Sequence, residues 1–288
     1  GPVMPITAAK SATADITTSA AEGIFPGRLT APLVFAGAVA SQILKRRGVA
    51  VGAHILQIGS VRDASFHPLG EDEALFASLK QETLPVLDKT KQSEMEGEIM
   101  AAKGDLDSVG GIIECMITGL PAGLGNPFFD SVESALSHMI FSVPAVKGVE
   151  FGDGFALASM RGSGANDAFY YDGAAVKTKT NRNGGINGGI TNGMPVLFRV
   201  AVKPTPSISR LQETIDTDTQ ENCTLEIKGR HDPCIVQRAV PVVEAAASWA
   251  ILDVWLSTEK GCEDIWRQTS IPFLSDASEL PVHTAIGR

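Results

Sequence analysis

Cysteine is scarce in this sequence, and its placement excludes two classes of site. The four cysteines form neither a CxxC pair nor any other spacing typical of metal ligands: Cys115, Cys223, Cys234 and Cys262. We therefore predict no metal site and no redox dithiol. Isolated thiols are typical of small buried side chains in a reducing compartment, so we predict a cytoplasmic protein.

Long apolar runs, excess positive charge and a dinucleotide fingerprint are also missing. No apolar run reaches the length of a membrane span, and no stretch has the three regions of a signal peptide. The net charge of -9 disfavours binding to nucleic acid or to a membrane surface. An anionic ligand would therefore need a local basic pocket. No GxGxxG motif supports an NADPH site.

The 288 residues are enough for one large or two ordinary domains with a sizeable core. Residues 1–26 have no clear hydrophobic period and stay unassigned, whereas the pattern from residue 27 onward is legible as one domain reaching residue 288. Periodicity predicts strands at 49–59, 107–118, 146–151, 176–180, 196–203 and 223–228. It predicts helices at 30–47, at 130 onward, after 239, and as a pair within 71–103 broken near Pro85.

Local signals fix several of these boundaries. Thr30 and Asp130 are each predicted to cap the helix that follows them. The small residues of the first helix, among them Gly37, predict close packing against a neighbouring element. Polar composition predicts loops at 159–173 and 211–221. His54 lies in a strand without a partner motif, so we interpret it as a core histidine rather than a catalytic one.

The segment KGRHDPCIVQRAVPVVE, residues 228–244, combines several chemically active side chains. Arg230 has a planar guanidinium suited to phosphate or carboxylate, and His231 and Asp232 can move protons near neutral pH. Pro233 prevents a helix from running back through the segment. The helix predicted after Ala239 would place these charges near a helix N-terminus, where anions are stabilised. A solvated surface turn is the alternative interpretation.

A second polar segment, residues 181–210, is rich in glycine and ends in KPTPS. Its closely spaced glycines allow backbone N–H groups to converge on a flat or anionic ligand: Gly184, Gly185, Gly188, Gly189 and Gly193. Lys203 adds a cation, and Thr205 and Ser207 add hydroxyl groups. A mobile hairpin loop would explain the glycines but not the cluster of a lysine with hydroxyl groups.

With these segments in view, the chain resembles the chorismate synthase family. The matching strings are GRLTAPLVFAGAVASQIL, GLPAGLG, PAVKGVEFGDGF, GGINGGITNGMP, KPTPSI, and GRHDPC followed by RAVPVVEA. They occur in family order from residue 27 to about residue 256. The resemblance implies an α/β fold, a β-α-β sandwich in which helices pack between two antiparallel sheets. It also implies assembly of the chains into a homotetramer.

The resemblance implies a carbon–oxygen lyase that acts on phosphates. The reaction is the trans-1,4 elimination of phosphate from 5-enolpyruvylshikimate 3-phosphate to give chorismate, and it requires reduced FMN, supplied with help from an external flavin reductase. Asp232 matches the aspartate that manages the flavin proton, and Arg28 and Arg230 match substrate-binding arginines. The implied FMN-binding residues are Pro144, Ala145, Gly188, Lys203, Pro204, Thr205, Pro206, Ser207 and Arg230.

The sequence also departs from the family pattern. The GESHG and HAD motifs, which supply two acid–base histidines, do not occur in it, and Pro26, Asn187 and Gln237 replace a usual serine, leucine and proline. We therefore expect a protein of only these residues to turn over more slowly than the family does. The alternative is a non-catalytic or truncated flavin-binding homologue that keeps the fold and the assembly surfaces. A flavin oxidoreductase is a weaker third hypothesis.

Overall fold

The computed structural model describes residues 29–216, 218–229 and 231–258. The strands, in chain order, are β1 (Ala50–Ile58), β2 (Val61–Arg62), β3 (Gly111–Thr118), β4 (Val146–Phe151), β5 (Phe169–Asp172), β6 (Ala175–Thr178), β7 (Ile186–Asn187), β8 (Ile190–Thr191), β9 (Val196–Val202), β10 (Gln212–Asp216) and β11 (Glu221–Leu225). The α-helices are α1 (Thr30–Lys45), α2 (Glu73–Leu79), α3 (Lys89–Gly104), α4 (Val132–Phe141), α5 (Gly162–Ala165) and α6 (Val236–Ser257).

Five strands form one antiparallel sheet in the order β2-β1-β3-β9-β4. Side chains along a strand point alternately to the two faces of the sheet, and β3 shows this clearly. Ile113, Cys115 and Ile117 belong to the core cluster shared with the long helices, whereas Met116 belongs to a second cluster on the opposite face. The remaining described strands pair only as three two-stranded hairpins, β5–β6, β7–β8 and β10–β11.

Helix α6 forms the centre of the helical layer on the first face of the sheet. It packs against α1, α4, β1 and β3, and twelve of its 22 residues are buried. The backbone of α1 approaches it most closely at Gly37, where a methyl group would lie 2.4 Å from the Cα of Ala245. The close packing predicted from the small residues of α1 is therefore confirmed at this glycine.

The outer surface of α1 and α6 is apolar and uncovered within the described ranges. Phe35 is 75% exposed and Trp249 41% exposed, and the two lie along a groove with a volume of about 320 Å³. The mixed fold of helices and antiparallel strands agrees with the predicted class. A second large sheet on the outer side of the helices is not found among the described residues.

By length and composition alone, α6 could cross a membrane. Its most apolar stretch has a mean hydropathy of 1.5, so the statement that no run reaches this length is corrected. The same stretch is 61% buried inside the protein, between the sheet and two other helices. Core helices of this kind pass the same test of length and hydropathy.

Several predicted boundaries are confirmed and others are wrong. β4 and the helix pair on either side of Pro85 lie where periodicity placed them. Thr30 is the first residue of α1 rather than its cap, and α4 is capped by Ser131, whose hydroxyl accepts a hydrogen bond from Ser134 N, rather than by Asp130. The two segments predicted as polar loops instead contain the strands β5 and β10, which pair with β6 and β11, close to the strands predicted at 176–180 and 223–228. Cross-strand pairing stabilises even exposed strands such as β5.

The start of α6 is the largest boundary error. The helix is predicted to begin only after Ala239, but it begins at Val236 and contains Pro241 in its sixth position. Val236, Ala239 and Val240 are buried against the core. Burial of this apolar first turn outweighs the loss of one backbone hydrogen bond at the proline.

Candidate active site

Three separate chain segments meet at one end of the five-stranded sheet, where β3 and β4 begin and β9 ends. Lys203 N donates a hydrogen bond of 2.9 Å to Ala145 O. The Ser108 hydroxyl donates to Thr205 O at 2.6 Å, and Val109 N donates to Pro233 O at 2.8 Å. We call the set formed by residues 144–145, 203–207 and 231–233 the anion corner. The structure thus brings together most of the predicted site residues.

The fold of β4 and β9 places Lys203 at the surface of the anion corner. β9 ends at Val202, which is buried and pairs with Val146, and Pro204 follows two residues later, where it cannot continue the ladder. Ala145 has a φ of 70°, a conformation that L-residues other than glycine seldom adopt. Such a backbone persists only where its surroundings hold it, and here its carbonyl is fixed by Lys203 N.

Two lysines give the anion corner local positive potential in an acidic protein. Lys203 and Lys147 are both exposed, and neither forms an ion pair with another described residue. A third cation of this region, Arg210, is already neutralised by Asp107 at 2.9 Å. Hydrogen bonds from Ser108 N and from Arg210 lower the pKa of Asp107. Among the described residues named here, the cations without a carboxylate partner are therefore the two lysines.

The KPTPS turn also offers hydroxyl groups. Thr205 Oγ1 is buried and has no hydrogen-bond partner among the described residues, while Ser207 is half-buried. An unpaired buried hydroxyl is costly, so it is normally satisfied by water or by a bound group. Pro204 and Pro206 are exposed and restrict the backbone of the turn. A lysine and an unpaired threonine hydroxyl in a stiff turn fit the phosphate of an anionic cofactor.

Asp232 lies beside this turn and is held by an arginine that sequence reasoning did not single out. Arg238, in the first turn of α6, donates two hydrogen bonds of 2.8 and 2.9 Å to the carboxylate oxygens of Asp232. Both side chains are well exposed to solvent. His231 Nε2 lies 3.0 Å from Ile227 O. The sequence signal that could have identified Arg238 is its position six residues after Asp232, just inside the start of α6.

Gly188 does not lie at the anion corner. It belongs to the hairpin β7–β8, which precedes the start of β9, whereas Lys203 follows the end of β9. The seven residues of β9 span roughly 23 Å at the rise of an extended strand. Gly188 is exposed with a φ of 59°, and a methyl group there would meet no atom within 4 Å. Arg28 and Arg230, the two predicted substrate arginines, lie outside the described residues.

The opposite face of the sheet carries a row of charged side chains in register across four strands. His54, Glu114, Arg199 and Glu150 are paired neighbours on β1, β3, β9 and β4. His54 Nε2 lies 3.1 Å from Glu114, whose other oxygen accepts from Arg199 Nε at 3.0 Å. Arg199 also donates to Glu150 at 2.9 Å.

His54 is completely buried in this row, as the interpretation of a core histidine requires. Its Nδ1 lies 3.5 Å from Asp63, an ion-pair distance that is too long for a good hydrogen bond. Burial acts to lower the pKa of His54, but the carboxylates of Asp63 and Glu114 outweigh burial and raise it. The partnership with His54 likewise overcomes burial and lowers the pKa of both carboxyl groups. Strand periodicity could not reveal these partners.

Comparison with known proteins places these features in one family. The chorismate synthase family matches residues 9–256. A chorismate synthase of Dehalococcoides mccartyi is 43% identical over 234 residues, which are 81% of this chain and 63% of the relative. A chorismate synthase of Thermococcus gammatolerans is 46% identical over 231 residues, with 80% and 63% covered. The chain thus spans a little under two thirds of the length of these relatives.

A solved structure supports the same assignment at the level of the fold. A crystal structure of chorismate synthase superposes with a TM-score of 0.70 and 25% sequence identity. The alignment covers 89% of this chain and 75% of the solved one. The extent of the family match and the shared fold agree with the motifs read from the sequence, and the chain belongs to the chorismate synthase family.

Proposed function

We propose that the protein takes part in the chorismate synthase reaction, the elimination of phosphate from 5-enolpyruvylshikimate 3-phosphate with reduced FMN. The observation that carries this proposal is the anion corner. There PA bonds directly to KPTPS, and KPTPS and HDP are held by the adjacent residues Ser108 and Val109, through hydrogen bonds of 2.6 to 2.9 Å. If the motifs matched the family only by chance, there would be no reason for them to lie next to one another in the fold. The membership of the family supports the same reaction.

The residues at the anion corner fit a flavin phosphate or the phosphate of the substrate. Lys203 supplies a free cation, and Thr205 Oγ1 is a buried hydroxyl in need of a partner. Charge-assisted hydrogen bonds from such groups are about twice as strong as neutral ones. Pro144 and Ala145 would border the flavin from the β4 side, with Pro204, Pro206 and Ser207 completing the turn around it.

Reduced FMN, when bound, supplies electron density as phosphate leaves and recovers it when hydrogen is lost. In this proposal the chain provides a proton-handling group, Asp232, next to the cofactor turn. Both of its oxygens accept hydrogen bonds from Arg238, which favours one orientation of this exposed carboxylate. Arg28 and Arg230 would bind the anionic substrate. Gly188, which lies beyond the other end of β9 from Lys203, would contact through its backbone only the part of the flavin farthest from the phosphate.

The wider biological setting follows from the same proposal. Two of the free cysteines are buried and one is exposed, which is compatible with a reducing cytoplasm. We propose a homotetramer, and a separate flavin reductase that supplies the reduced cofactor. The domain from residue 27 onward is proposed as one folding unit.

The reaction can be tested directly with the 288-residue chain. Purified protein is incubated anaerobically with 5-enolpyruvylshikimate 3-phosphate and photoreduced FMN, and chorismate is measured by its absorbance and by chromatography. Formation that requires both enzyme and reduced FMN supports the proposal. Tight FMN binding without any chorismate at high enzyme concentration would instead favour the non-catalytic homologue, and absence of FMN binding would contradict the proposed cofactor.

Lys203→Ala should weaken FMN binding. Loss of one charge-assisted hydrogen bond corresponds to about 1.5–3 kcal/mol, or an increase of the dissociation constant by about 10- to 150-fold. Fluorescence titration with FMN, with and without substrate, measures this change. Lys177→Ala serves as the matched control, because Lys177 is an exposed lysine on β6 whose partner is Asp172. Equal affinities for the parent and Lys203→Ala would remove Lys203 from the cofactor site.

A further inference from the structure

One buried carboxylate holds the segment that leads into the glycine-rich hairpin β7–β8. Asp167 is 8% exposed. Its Oδ1 accepts hydrogen bonds from Thr180 Oγ1 at 2.7 Å and Arg182 N at 2.8 Å. Its Oδ2 accepts from Asn183 N at 3.0 Å and Asn183 Nδ2 at 2.7 Å. Burial acts to raise the pKa of Asp167, but these hydrogen bonds outweigh it and lower the pKa.

A second set of contacts fixes the same segment from the other side. Asn181 is buried, donates to Pro195 O at 2.8 Å, and accepts from Gly185 N at 2.7 Å. Arg182 pairs with Asp153 at 2.7 Å, and Asp153 N donates to Arg182 O at 2.8 Å. The backbone is thus tied to the neighbouring turn and to the residue before β9.

The packing at the base of the hairpin leaves no room for a side chain at two glycines. A methyl group at Gly152 would lie 2.0 Å from Arg182 O, and one at Gly184 would lie 2.5 Å from Gly152 N. The tip of the hairpin is the opposite case, because Gly188 is exposed and faces open space. A fixed base and an open tip are what a backbone binding loop requires, since glycine-rich backbone is costly to order when a ligand binds.

We infer that Asp167 is a positioning residue, which holds residues 180–183 so that the backbone of the β7–β8 hairpin is preformed for its ligand. This inference rests on the proposed function, in which Gly188 contacts the flavin. The side-chain hydrogen bonds of Asp167 all go to residues of the segment 180–183, which leads into the hairpin, and not to the hairpin tip. It therefore acts through the backbone and not on the reacting atoms.

Asp167→Asn is the sharpest test because it changes charge and acceptor capacity but little else. An asparagine amide nitrogen cannot accept the two hydrogen bonds that one carboxylate oxygen now accepts. In place of Oδ2 it would face two N–H donors, and in place of Oδ1 it would face the N–H of Arg182 and the Thr180 hydroxyl. We expect hydrogen–deuterium exchange at residues 181–189 to become faster. We also expect FMN affinity to fall by about 10-fold, the equivalent of one lost charge-assisted bond. The temperature of unfolding should also fall, because buried donors lose their acceptor, so exchange is compared at a temperature at which both proteins are fully folded.

Asp172→Asn is the matched control, since Asp172 is an exposed aspartate that pairs only with Lys177 on the neighbouring hairpin. It should change neither exchange at 181–189 nor FMN affinity. If Asp167→Asn does not fold, Thr180→Val removes a single hydrogen bond to the same carboxylate and should shift both measurements in the same direction by a smaller amount.

The outcomes separate the two proposals. If the parent binds no FMN, the proposed cofactor is wrong, and exchange at 181–189 alone decides whether Asp167 holds the segment. If the parent binds FMN and Asp167→Asn binds it equally well, the positioning role is wrong although the function stands. Faster exchange over the whole chain, rather than at 181–189, would overturn the inference and leave Asp167 as a general stabilising residue.

Discussion

His54→Ala is expected to destabilise the protein by about 3–5 kcal/mol, the range for removal of one partner from a buried ion pair. The variant leaves Asp63 and Glu114 buried without their shared cation, and both lie within 3.5 Å of the His54 ring. It also opens a cavity beside Phe66, whose ring packs edge-on against His54 at 4.4 Å. Chemical denaturation followed by circular dichroism measures the change in the free energy of unfolding.

The stability lost in His54→Ala should depend on pH in a direction that follows from the shifted pKa values. The raised pKa of His54 contributes stability that is fully present below the ordinary value of 6.5 and is lost as pH rises through the folded value. The lowered pKa values of Asp63 and Glu114 contribute stability that is present above their ordinary values of 3.8 and 4.5 and is lost as pH falls. The difference between parent and His54→Ala should therefore be largest between about pH 4.5 and 6.5.

His67→Ala is the matched control because His67 is exposed and has no ion pair with a described residue. It should change stability by less than about 0.5 kcal/mol, as is usual for surface positions. A change of under 1 kcal/mol in His54→Ala at pH 6 would contradict the structural role of the buried charge row. An equal loss of unfolding free energy in both histidine variants would mean that the loss does not come from the buried charge row.

The elements that could be predicted from sequence are those whose local pattern and tertiary environment agree. β1, β4 and β9 are apolar strands bounded by turn residues, and their predicted limits differ from the observed ones by at most one residue at either end. The start of α6 could not be predicted, because Pro241 is a strong local signal for a helix start. Only the packing of Val236 and Ala239 against the core shows that the helix begins earlier.

The candidate site shows the same limit at longer range. Motif resemblance selected Ala145, Lys203 and Asp232, and the hydrogen bonds at the anion corner bring their segments together. Resemblance also grouped Gly188 with them, although an entire strand separates it from Lys203 in this chain. Motif resemblance gives residue identities but no distances. It therefore cannot show whether the matched residues lie together at one site or at opposite ends of a sheet.

The partners of buried charges are the part that no sequence pattern supplies. His54 and Glu114 are 60 positions apart, and Arg199 is a further 85 positions from Glu114. Their pairing depends on the register of three neighbouring strands, which is set by the whole sheet. Asp167 likewise falls in a segment predicted as a polar loop, because its four hydrogen bonds reach residues 180–183 on the far side of the hairpin β5–β6.

Asp232→Asn is expected to slow turnover by about 100- to 10,000-fold, the range for removal of a general acid–base group. Asparagine keeps the shape of the side chain and can still accept a hydrogen bond from Arg238, so binding of substrate and FMN should be little changed. Single-turnover formation of chorismate at high enzyme concentration, under anaerobic conditions with photoreduced FMN, measures the rate of the chemical step even where overall turnover is slow.

Arg238→Met separates proton handling from positioning in this second prediction. The substitution removes the arginine that holds both oxygens of Asp232 and leaves the carboxylate itself in place. If the carboxylate moves the proton, Asp232→Asn should be much slower than Arg238→Met, because only the first variant lacks the titratable group. Equal rates in the two variants would mean that Asp232 acts by orienting Arg238. Weakened substrate binding with normal turnover at saturation would instead assign Asp232 the task of organising the neighbouring Arg230.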